Sequence, residues 1–237
     1  LIQIGGLGFM SIFTIFSVFL KKKISLGERK ILVQISGNMR YHGVVSMMKK
    51  IIFGTFLIEG LGALVLSFRF CREMPFGEGL FYSVFHSVSA FCNAGFDLLG
   101  AEGSLQGYVG DPIVNSTVML LIILGGIGYI VWWDVIRVVK SRSPKNRKIF
   151  RHLTLHSKIA ITVTAGLILV GAILILIFEY ANPLTIGEMS LFDKIQVSFF
   201  QSVTTRTAGF ASVPQENLTN ASAAVSIILM LIGGSPV

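Results

Sequence analysis

The sequence contains few charged residues. Charged side chains make up 14% of the 237 residues, whereas soluble globular domains carry about 25%. Hydrophobic residues make up 53%, and the mean hydropathy is +0.75. Several apolar runs approach the roughly 20 residues that cross a bilayer core. An ordinary soluble domain is therefore excluded, and the composition predicts an all-α integral membrane protein.

Cysteine and histidine are also scarce. Two cysteines, Cys71 and Cys92, have no context typical of a disulfide framework or a metal site. The four histidines form no cluster with ligand spacing. His86 lies near a repeated motif, but Gln201 takes the matching place in the other copy, which favours a structural role for His86. We therefore expect no cofactor in this chain.

Apolar spans alternate with polar stretches along the chain. The spans cover, approximately, residues 1–20, 51–68, 113–133, 159–178 and 221–237. Sixteen of the twenty Lys and Arg residues lie in 21–50 and 134–158, and nine of the twelve acidic residues lie in 71–112 and 179–221. By the positive-inside rule the basic stretches are cytoplasmic. Membrane topology thus explains the net charge of +8, and no nucleic-acid partner is expected.

Each outward-facing region contains an apolar segment that is too short to span a membrane. These segments, residues 80–91 and 195–205, have the length of re-entrant helices. Each is followed by the triplet Ala-Gly-Phe, which ends at Phe96 and at Phe210. The two copies differ by one residue between the preceding Ser-Val and this triplet.

Glycine-rich sequences recur in the inward-going spans. They lie at residues 5–8, 125–128 and 233–235, with a period of roughly 110–120 residues. The repeat predicts tandem M1–P–M2 units, each a helix, a re-entrant pore helix with its filter loop, and a second helix. Because the chain starts and stops within apolar runs, we expect truncation at both ends.

The repeat predicts a division of the chain into five parts. These are residues 1–20, the second helix of repeat one; 21–50, a cytoplasmic loop; 51–136, repeat two; 137–158, a basic cytoplasmic loop; and 159–237, repeat three, cut within its second helix.

Paired re-entrant loops are typical of proteins that strip water from an ion. Backbone carbonyls replace the hydration shell, and helix ends provide a favourable dipole. Glycine is needed at Gly95 and Gly209 if successive carbonyls are to face one axis. Phe96 and Phe210 are then expected to pack the rear of each loop. The alternative is that Ala-Gly-Phe forms an ordinary tight turn between helices.

Other candidate residues have more than one interpretation. The glycines of the spans are most simply explained by close helix packing. In the last span, however, Gly233, Gly234 and Ser235 precede a proline, and a helix broken there could form a gate. Glu59, a lone acid in the second span, is either part of an ion pathway or a hydrogen-bonded structural group. Arg206 lies two residues before Ala208, and the sequence assigns it no role.

Five sequence pieces together resemble the Trk/Ktr/HKT superfamily of potassium transporters, and most closely its bacterial Ktr-type membrane subunit. They are QIGGLGFM (3–10), FHSVSAFCNAGFDLLG (85–100), GGIGY (125–129), SVTTRTAGF (202–210) and IGGSP (232–236). The resemblance covers essentially the whole chain. It implies four M1–P–M2 repeats around one pore, of which this chain contains parts of three.

The resemblance also implies specific roles for residues and partners. The ion selectivity filter, which binds K⁺ through backbone carbonyls, would include Asn93, Ala94, Gly95, Thr207, Ala208 and Gly209. A gate loop would begin with Gly233, Gly234 and Ser235. The partners implied are a second copy in a homodimer, a cytosolic nucleotide-binding regulatory ring, and membrane lipid.

The function predicted is potassium uptake across the bacterial plasma membrane, driven by the membrane potential, with sodium coupling left open. The alternative is a secondary transporter for another cation or small solute, with the broken segments as its substrate site. An enzyme is not expected, because Glu59 is the only charged residue deep within a span.

Overall fold

The computed structural model of the chain describes residues 1–7, 41–99, 103–140 and 149–234. The regular structure in these residues is helical, as the sequence predicts. The helices are α1 (Ile2–Leu7), α2 (Tyr41–Glu73), α3 (Phe76–Phe91), α4 (Pro112–Ile127), α5 (Tyr129–Lys140), α6 (Ile149–His152), α7 (Leu155–Glu179), α8 (Leu191–Thr204) and α9 (Asn220–Ile232). Two 3₁₀ turns cover Gln106–Tyr108 and Gln215–Asn217.

Two of the described helices are long and apolar enough to cross a bilayer. They are the Lys49–Glu73 part of α2, and α7. A third span is possible if α4 and α5 are taken together, and α9 is a shorter apolar helix. Helices are suited to the hydrocarbon interior of a bilayer, because each helix satisfies its own backbone hydrogen bonds. The prediction of a multi-helix membrane protein is confirmed.

The two pore helices, α3 and α8, are shorter than the spans that flank them. They contain 16 and 14 residues, too few to cross the bilayer core. Helix α3 packs against α2 and α4, while α8 packs against α7 and α4. Each repeat thus has the predicted order of helix, pore helix and helix, and α4 connects the two repeats.

Polar caps define where several of these helices begin. Asp111 accepts hydrogen bonds from the first backbone amides of α4, and Thr154 does the same for α7. Ser190 caps α8, and Thr219 caps α9. These side chains satisfy amides that have no partner within the helix. Each of these four helices therefore begins at a residue that the cap defines.

The predicted span 113–133 is not one straight helix. Helix α4 ends at Ile127, Gly128 adopts φ 87° and ψ 148°, and α5 continues at an angle of 94°. A residue with a Cβ resists this conformation, whereas glycine adopts it readily. Trp132 Nε1 donates to the carbonyl oxygen of Leu124 at 3.0 Å, which satisfies one carbonyl that the break leaves without a helical partner.

Some predicted boundaries fall on helices or outside the described residues. Helix α2 begins at Tyr41, within the predicted loop 21–50, and α7 begins at Leu155, within the predicted loop 137–158. Residues 8–40 and 141–148 lie outside the described residues. The division into domains remains a prediction.

Candidate functional site: two converging glycine loops

The loops that follow the two pore helices contain left-handed backbone at matching positions. We call residues 92–96 and 205–210 the glycine loops. Asn93 and Gly95 have φ values of 50° and 68°, and Thr207 and Gly209 have φ values of 75° and 87°. Positive φ suits glycine and is tolerated by asparagine, but it is uncommon for a β-branched threonine. Both loops are therefore held in a conformation that most loops avoid.

A hydroxyl group near the end of each pore helix fixes the loop that follows. Ser89 Oγ donates to the carbonyl oxygen of Phe96 at 2.7 Å, and Thr204 Oγ1 donates to that of Phe210 at 2.6 Å. The first bond connects residues seven apart, and the second connects residues six apart. Each hydroxyl group thus closes an equivalent segment, and the closed segment of repeat two is one residue longer.

The segment from Ser89 to Phe96 is one residue longer than the segment from Thr204 to Phe210, and the additional residue is accommodated at the end of α3. The Ala94 amide donates to the Ser89 carbonyl at 2.9 Å, and the Ala208 amide donates to the Thr204 carbonyl at 2.9 Å. The first turn is wider than the second, because Ala94 lies one residue further from its acceptor than Ala208 does. The glycine after each alanine therefore occupies an equivalent place in the two repeats.

The two glycine loops lie against each other. A Cβ placed on Gly95 would collide with the Ala208 carbonyl oxygen and would lie 2.8 Å from Gly209 Cα. A Cβ placed on Gly209 would lie 3.3 Å from Gly95 Cα. The structure thus brings together the two residues that the sequence singles out, although they are far apart in the chain.

Each pore helix is held to the first helix of its repeat by a serine. Ser87 Oγ donates to the Glu59 carbonyl at 2.7 Å, and Ser202 Oγ donates to the Ile168 carbonyl at 2.9 Å. A glycine allows the close approach in each case. A Cβ on Gly62 would lie 2.6 Å from Ser87 Oγ, and a Cβ on Gly171 would collide with Ser202 Oγ. These matched contacts set the depth of both pore helices.

The aromatic residues of the two triplets have different environments. Phe210 is 2% exposed and belongs to the hydrophobic core, together with Phe70 and Phe200. Phe96 is 62% exposed within the described part of the chain. The expectation that both rings pack behind their loops is therefore correct for Phe210 and wrong for Phe96.

The residues at the matching positions 86 and 201 both connect a pore helix to the chain beyond its loop. His86 Nδ1 is 2.7 Å from the Tyr82 carbonyl, and His86 Nε2 is 3.4 Å from the Leu98 amide nitrogen. Gln201 and Gln215 exchange two amide hydrogen bonds, of 2.7 and 3.2 Å. These contacts agree with the structural role expected for His86.

The predicted gate residues begin directly under the second glycine loop. Helix α9 ends at Ile232, and Gly233 has φ 67°. A Cβ on Gly233 would lie 3.6 Å from Thr207 Cγ2, and a Cβ on Gly234 would lie 3.9 Å from Thr207 Oγ1. Helix α9 thus ends immediately before the predicted gate residues, and the gate itself remains a prediction. Ser235, the third predicted gate residue, lies outside the described residues.

Two buried polar residues flank the glycine loops. Arg206 donates from Nη2 to Thr164 Oγ1 at 3.3 Å and from Nε to the Gly233 carbonyl at 3.4 Å. Glu59 is 4% exposed and accepts a 3.0 Å hydrogen bond from Gln3 Nε2. Glu59 thus connects α1 to α2. Both residues stand out in the sequence, but the sequence pattern does not show which distant group each side chain contacts.

Each repeat also ties the end of its first helix to the start of its second. In repeat two, Arg69 forms an ion pair with Asp111, and Tyr108 Oη donates to Glu73 Oε2 at 2.6 Å. Burial, and secondarily the Glu73 carboxylate, raise the pKa of Tyr108. In repeat three, Glu179 accepts hydrogen bonds of 2.8 and 2.7 Å from the amide and hydroxyl of Thr219. In both repeats the end of the first helix is joined to the start of the second. Repeat two uses an ion pair and a tyrosine hydrogen bond, whereas repeat three uses hydrogen bonds to a buried carboxylate.

The arrangement is suited to binding a cation with main-chain oxygens. Both pore helices end at the glycine loops, and a helix C-terminus carries about half a negative charge. No group of three or more metal-ligating side chains (His, Cys, Asp or Glu) occurs among the described residues. Rings of backbone carbonyls can replace the hydration shell of a monovalent cation.

The chain is similar to known transport proteins over its whole length. Residues 1–237 match the TrkH family, described as cation transport protein. The chain is 40% identical to the Ktr system potassium uptake protein B of Bacillus subtilis, over 98% of this chain and 50% of that protein. It is also 40% identical to the potassium/sodium uptake protein NtpJ of Enterococcus hirae, over 99% of this chain and 49% of that protein.

A third relative gives the same result. The Ktr system potassium uptake protein B of Vibrio alginolyticus is 37% identical over 98% of this chain and 49% of its own length. The chain thus spans about half the length of the curated relatives it matches. With its apolar helices, it is a multi-pass protein of the bacterial plasma membrane. The family match and the paired M1–P–M2 units together show that the chain belongs to the TrkH family of cation transport proteins.

Proposed function

We propose that the complete protein takes up potassium ions across the plasma membrane through a pore with a backbone-carbonyl filter. In this chain the filter residues are Asn93, Ala94 and Gly95 of repeat two, and Thr207, Ala208 and Gly209 of repeat three. The observation that carries the proposal is the contact between Gly95 and Gly209, each with positive φ and each beyond the end of a pore helix.

The names of the relatives support potassium as the transported ion. Two are called potassium uptake proteins, and a third is called a potassium/sodium uptake protein. The membrane potential supplies about 2.3 kcal/mol per charge per 100 mV, which is enough to concentrate a monovalent cation. We propose this potential as the driving force, and sodium as a candidate coupling ion.

Growth rescue tests the proposal directly. The complete gene is expressed in a strain that lacks potassium uptake, beside Gly95→Ser and Gly209→Ser variants. We expect the wild-type protein to restore growth at low potassium and both variants to fail. Gly60→Ser and Gly166→Ser are matched controls, because a Cβ at either position meets nothing within 4 Å.

Uptake that survives Gly95→Ser with unchanged cation preference would contradict the filter. It would instead support the alternative, a secondary transporter whose substrate site lies elsewhere. The Na⁺ dependence of Rb⁺ uptake by wild-type proteoliposomes tests the coupling ion separately.

We also propose that the complete protein is a homodimer bound to a cytosolic ring of nucleotide-binding regulatory subunits. This proposal rests on the resemblance to Ktr-type membrane subunits. The positive-inside rule alone accounts for the basic stretches 21–50 and 134–158 on the cytoplasmic side, where the ring would bind. Mass measurement of the detergent-solubilised protein tests the dimer, and co-purification with the regulatory subunit tests the ring.

A further inference from the structure

Glu59 is a buried carboxyl group next to the first glycine loop. It is 4% exposed, and its Oε2 accepts a 3.0 Å hydrogen bond from Gln3 Nε2. Burial of a carboxyl group is unfavourable unless other groups compensate for it. In the part of the chain that the structure describes, no basic side chain forms an ion pair with Glu59. Its side chain is therefore explained by the polar groups that it contacts in other elements.

One of these groups belongs to the residue that precedes the filter. The half-buried Cys92 places its Sγ 3.9 Å from Glu59 Oε1 and 4.0 Å from Gln3 Oε1. Cys92 directly precedes Asn93, the first proposed filter residue of repeat two. A Cβ placed on Gly6 of α1 would collide with Cys92 Sγ and would lie 2.7 Å from Cys92 Cβ. Helix α1 thus packs directly against the start of the filter segment.

Glu59 therefore joins three elements behind the first glycine loop. Its backbone carbonyl accepts the serine bond from the pore helix, and its carboxyl group accepts the bond from α1 and faces the Cys92 thiol. Helix α1 lies in the part of the chain that the repeat pattern assigns to repeat one. Among the described residues, the side-chain hydrogen bonds between α1 and the rest of the protein all involve Gln3.

Repeat three makes the bond to its pore helix without a carboxyl group. Ile168 holds the position that matches Glu59, because its carbonyl also accepts the serine bond from the pore helix. The Ile168 side chain is buried and belongs to the hydrophobic core. The bond to the pore helix therefore does not account for the carboxyl group of Glu59. What distinguishes Glu59 is the contact of its side chain with α1 and with Cys92.

We propose that Glu59 is a positioning residue for cation selectivity: together with Gln3 it holds α1 against Cys92 and so fixes the filter backbone of repeat two. The proposal rests on the proposed function, because it assumes that ions pass the glycine loops. Discrimination between K⁺ and Na⁺ depends on the arrangement of the coordinating carbonyls, and the Asn93 carbonyl follows Cys92 directly in the chain. The contact requires a hydrogen-bonding side chain and not a charge.

The test uses the complete protein, purified and reconstituted in proteoliposomes. The ratio of K⁺ to Na⁺ flux, and the KM and maximal rate of Rb⁺ uptake, are measured for Glu59→Ile, Gln3→Leu and Glu59→Gln. We expect Glu59→Ile and Gln3→Leu to lower the flux ratio about fivefold, which corresponds to loss of one hydrogen bond. The KM for Rb⁺ should rise, while the maximal rate stays within about twofold of wild type.

The conservative variant separates positioning from charge. Glu59→Gln removes the charge but keeps an acceptor for the Gln3 amide. Amide pairs of this kind occur in repeat three, where Gln201 and Gln215 exchange two hydrogen bonds. Glu59→Gln should therefore keep most of the wild-type flux ratio. The double variant Gln3→Leu/Glu59→Ile should lose no more than either single variant, because both changes remove one contact.

Two adjacent glycines of α1 provide an independent comparison. A Cβ on Gly6 would collide with Cys92, whereas a Cβ on Gly5 would meet nothing within 4 Å among the described residues. Gly6→Ala should therefore lower the K⁺ to Na⁺ flux ratio, as Gln3→Leu does. Gly5→Ala is the matched control and should stay within about twofold of wild type.

Reaction of the Cys92 thiol with N-ethylmaleimide reports its packing without any transport measurement. The reaction is followed in protein whose other cysteines are replaced by serine. Gln3→Leu leaves Glu59 in place, so a changed rate reflects the packing of α1 and not the loss of a charge. We expect about fivefold faster modification in Gln3→Leu. If the wild type carries no K⁺ flux, the proposed function fails, and this rate still decides whether Gln3 holds α1 against Cys92.

Three outcomes would overturn the proposal. A wild-type flux ratio in Gln3→Leu or Gly6→Ala would show that the contact of α1 does not position the filter. An unchanged rate of Cys92 modification in Gln3→Leu would show that Gln3 does not hold α1 in place. A flux ratio in Glu59→Gln as low as in Glu59→Ile would assign the effect to the charge. If Glu59→Ile does not fold, Gln3→Leu and Glu59→Gln decide.

Discussion

Repeat two closes its glycine loop with Ser89 and needs one more residue than repeat three, which closes its loop with Thr204. The two loops nevertheless have positive φ at the same positions, and their glycines meet. The second helices differ more. Helix α4 continues to Ile127 before it bends at Gly128, whereas α9 ends at Ile232 beneath the loop. The comparison shows that the two repeats share the geometry of the glycine loop and differ in where the second helix ends.

The largest expected effect tests whether the two glycines are equally constrained. Gly95→Ala places a Cβ against the Ala208 carbonyl, while Gly209→Ala places one 3.3 Å from Gly95 Cα. Both changes also strain a left-handed residue by about 1–2 kcal/mol. We expect Gly95→Ala to abolish Rb⁺ uptake and Gly209→Ala to reduce it by about tenfold or more. Equal loss in the two variants would show that the close approach is not the deciding factor.

The second comparison concerns adjacent glycines in α4. A Cβ on Gly125 would collide with the Phe91 carbonyl at the end of α3, whereas one on Gly126 would lie 3.4 Å from the side-chain amide of Asn93. The Asn93 side chain can move aside for a new methyl group, whereas the Phe91 carbonyl is part of the backbone of α3 and cannot. We expect Gly125→Ala to lower the thermal unfolding midpoint by several degrees and Gly126→Ala to change it little. The reverse order would contradict the packing of α4 against the pore helix.

The third comparison concerns the outer ties of the two repeats. Glu179 is 1% exposed and accepts four hydrogen bonds, from Asn182, Thr185 and Thr219. Glu179→Gln should cost about 1–3 kcal/mol, because an amide cannot accept all of these bonds. Arg69→Gln should cost less than Glu179→Gln, because the ion pair of Arg69 with Asp111 is partly exposed. Equal losses in denaturant unfolding would indicate that the two ties contribute alike.

The smallest expected effect concerns the hydroxyl groups that close the loops. Ser89→Ala and Thr204→Val each remove one hydrogen bond to a loop carbonyl, at about 1 kcal/mol. We expect similar small losses of stability, and a lower preference for K⁺ over Na⁺ in both variants. Ser116→Ala is the control, since its hydroxyl bonds within α4 at an exposed site. An effect in only one repeat would show that the closures are not equivalent.

The sequence was sufficient to predict an all-helical membrane fold and to single out the two glycines, Gly95 and Gly209, that meet between the loops. The apolar spans, the short segments at 80–91 and 195–205 and the repeated Ala-Gly-Phe all depend on local pattern. The bend at Gly128 was missed because glycines in an apolar span also suit close helix packing. Its signal was present in the Gly-Gly-X-Gly pattern at 125–128, but the pattern alone does not separate packing from a break.

The particular hydrogen bonds between distant residues could not be predicted. The Leu105 amide donates to the Ala211 carbonyl at 2.9 Å, and the Ala211 amide donates to Ser104 Oγ at 3.1 Å. These bonds join the chain beyond one glycine loop to the chain beyond the other. No periodicity encodes such a pair, because each bond involves a backbone amide or carbonyl, which nearly every residue has. The contacts of Arg206 were unpredictable for the same reason.

An experimental structure of the complete protein in Rb⁺ tests the central claim most directly, because Rb⁺ is an electron-dense substitute for K⁺. The account predicts an ion peak coordinated by main-chain oxygens of both glycine loops, including those of Gly95 and Gly209, and loss of that peak in Gly95→Ser. Ion density coordinated only by side chains, or located away from these two loops, would contradict it.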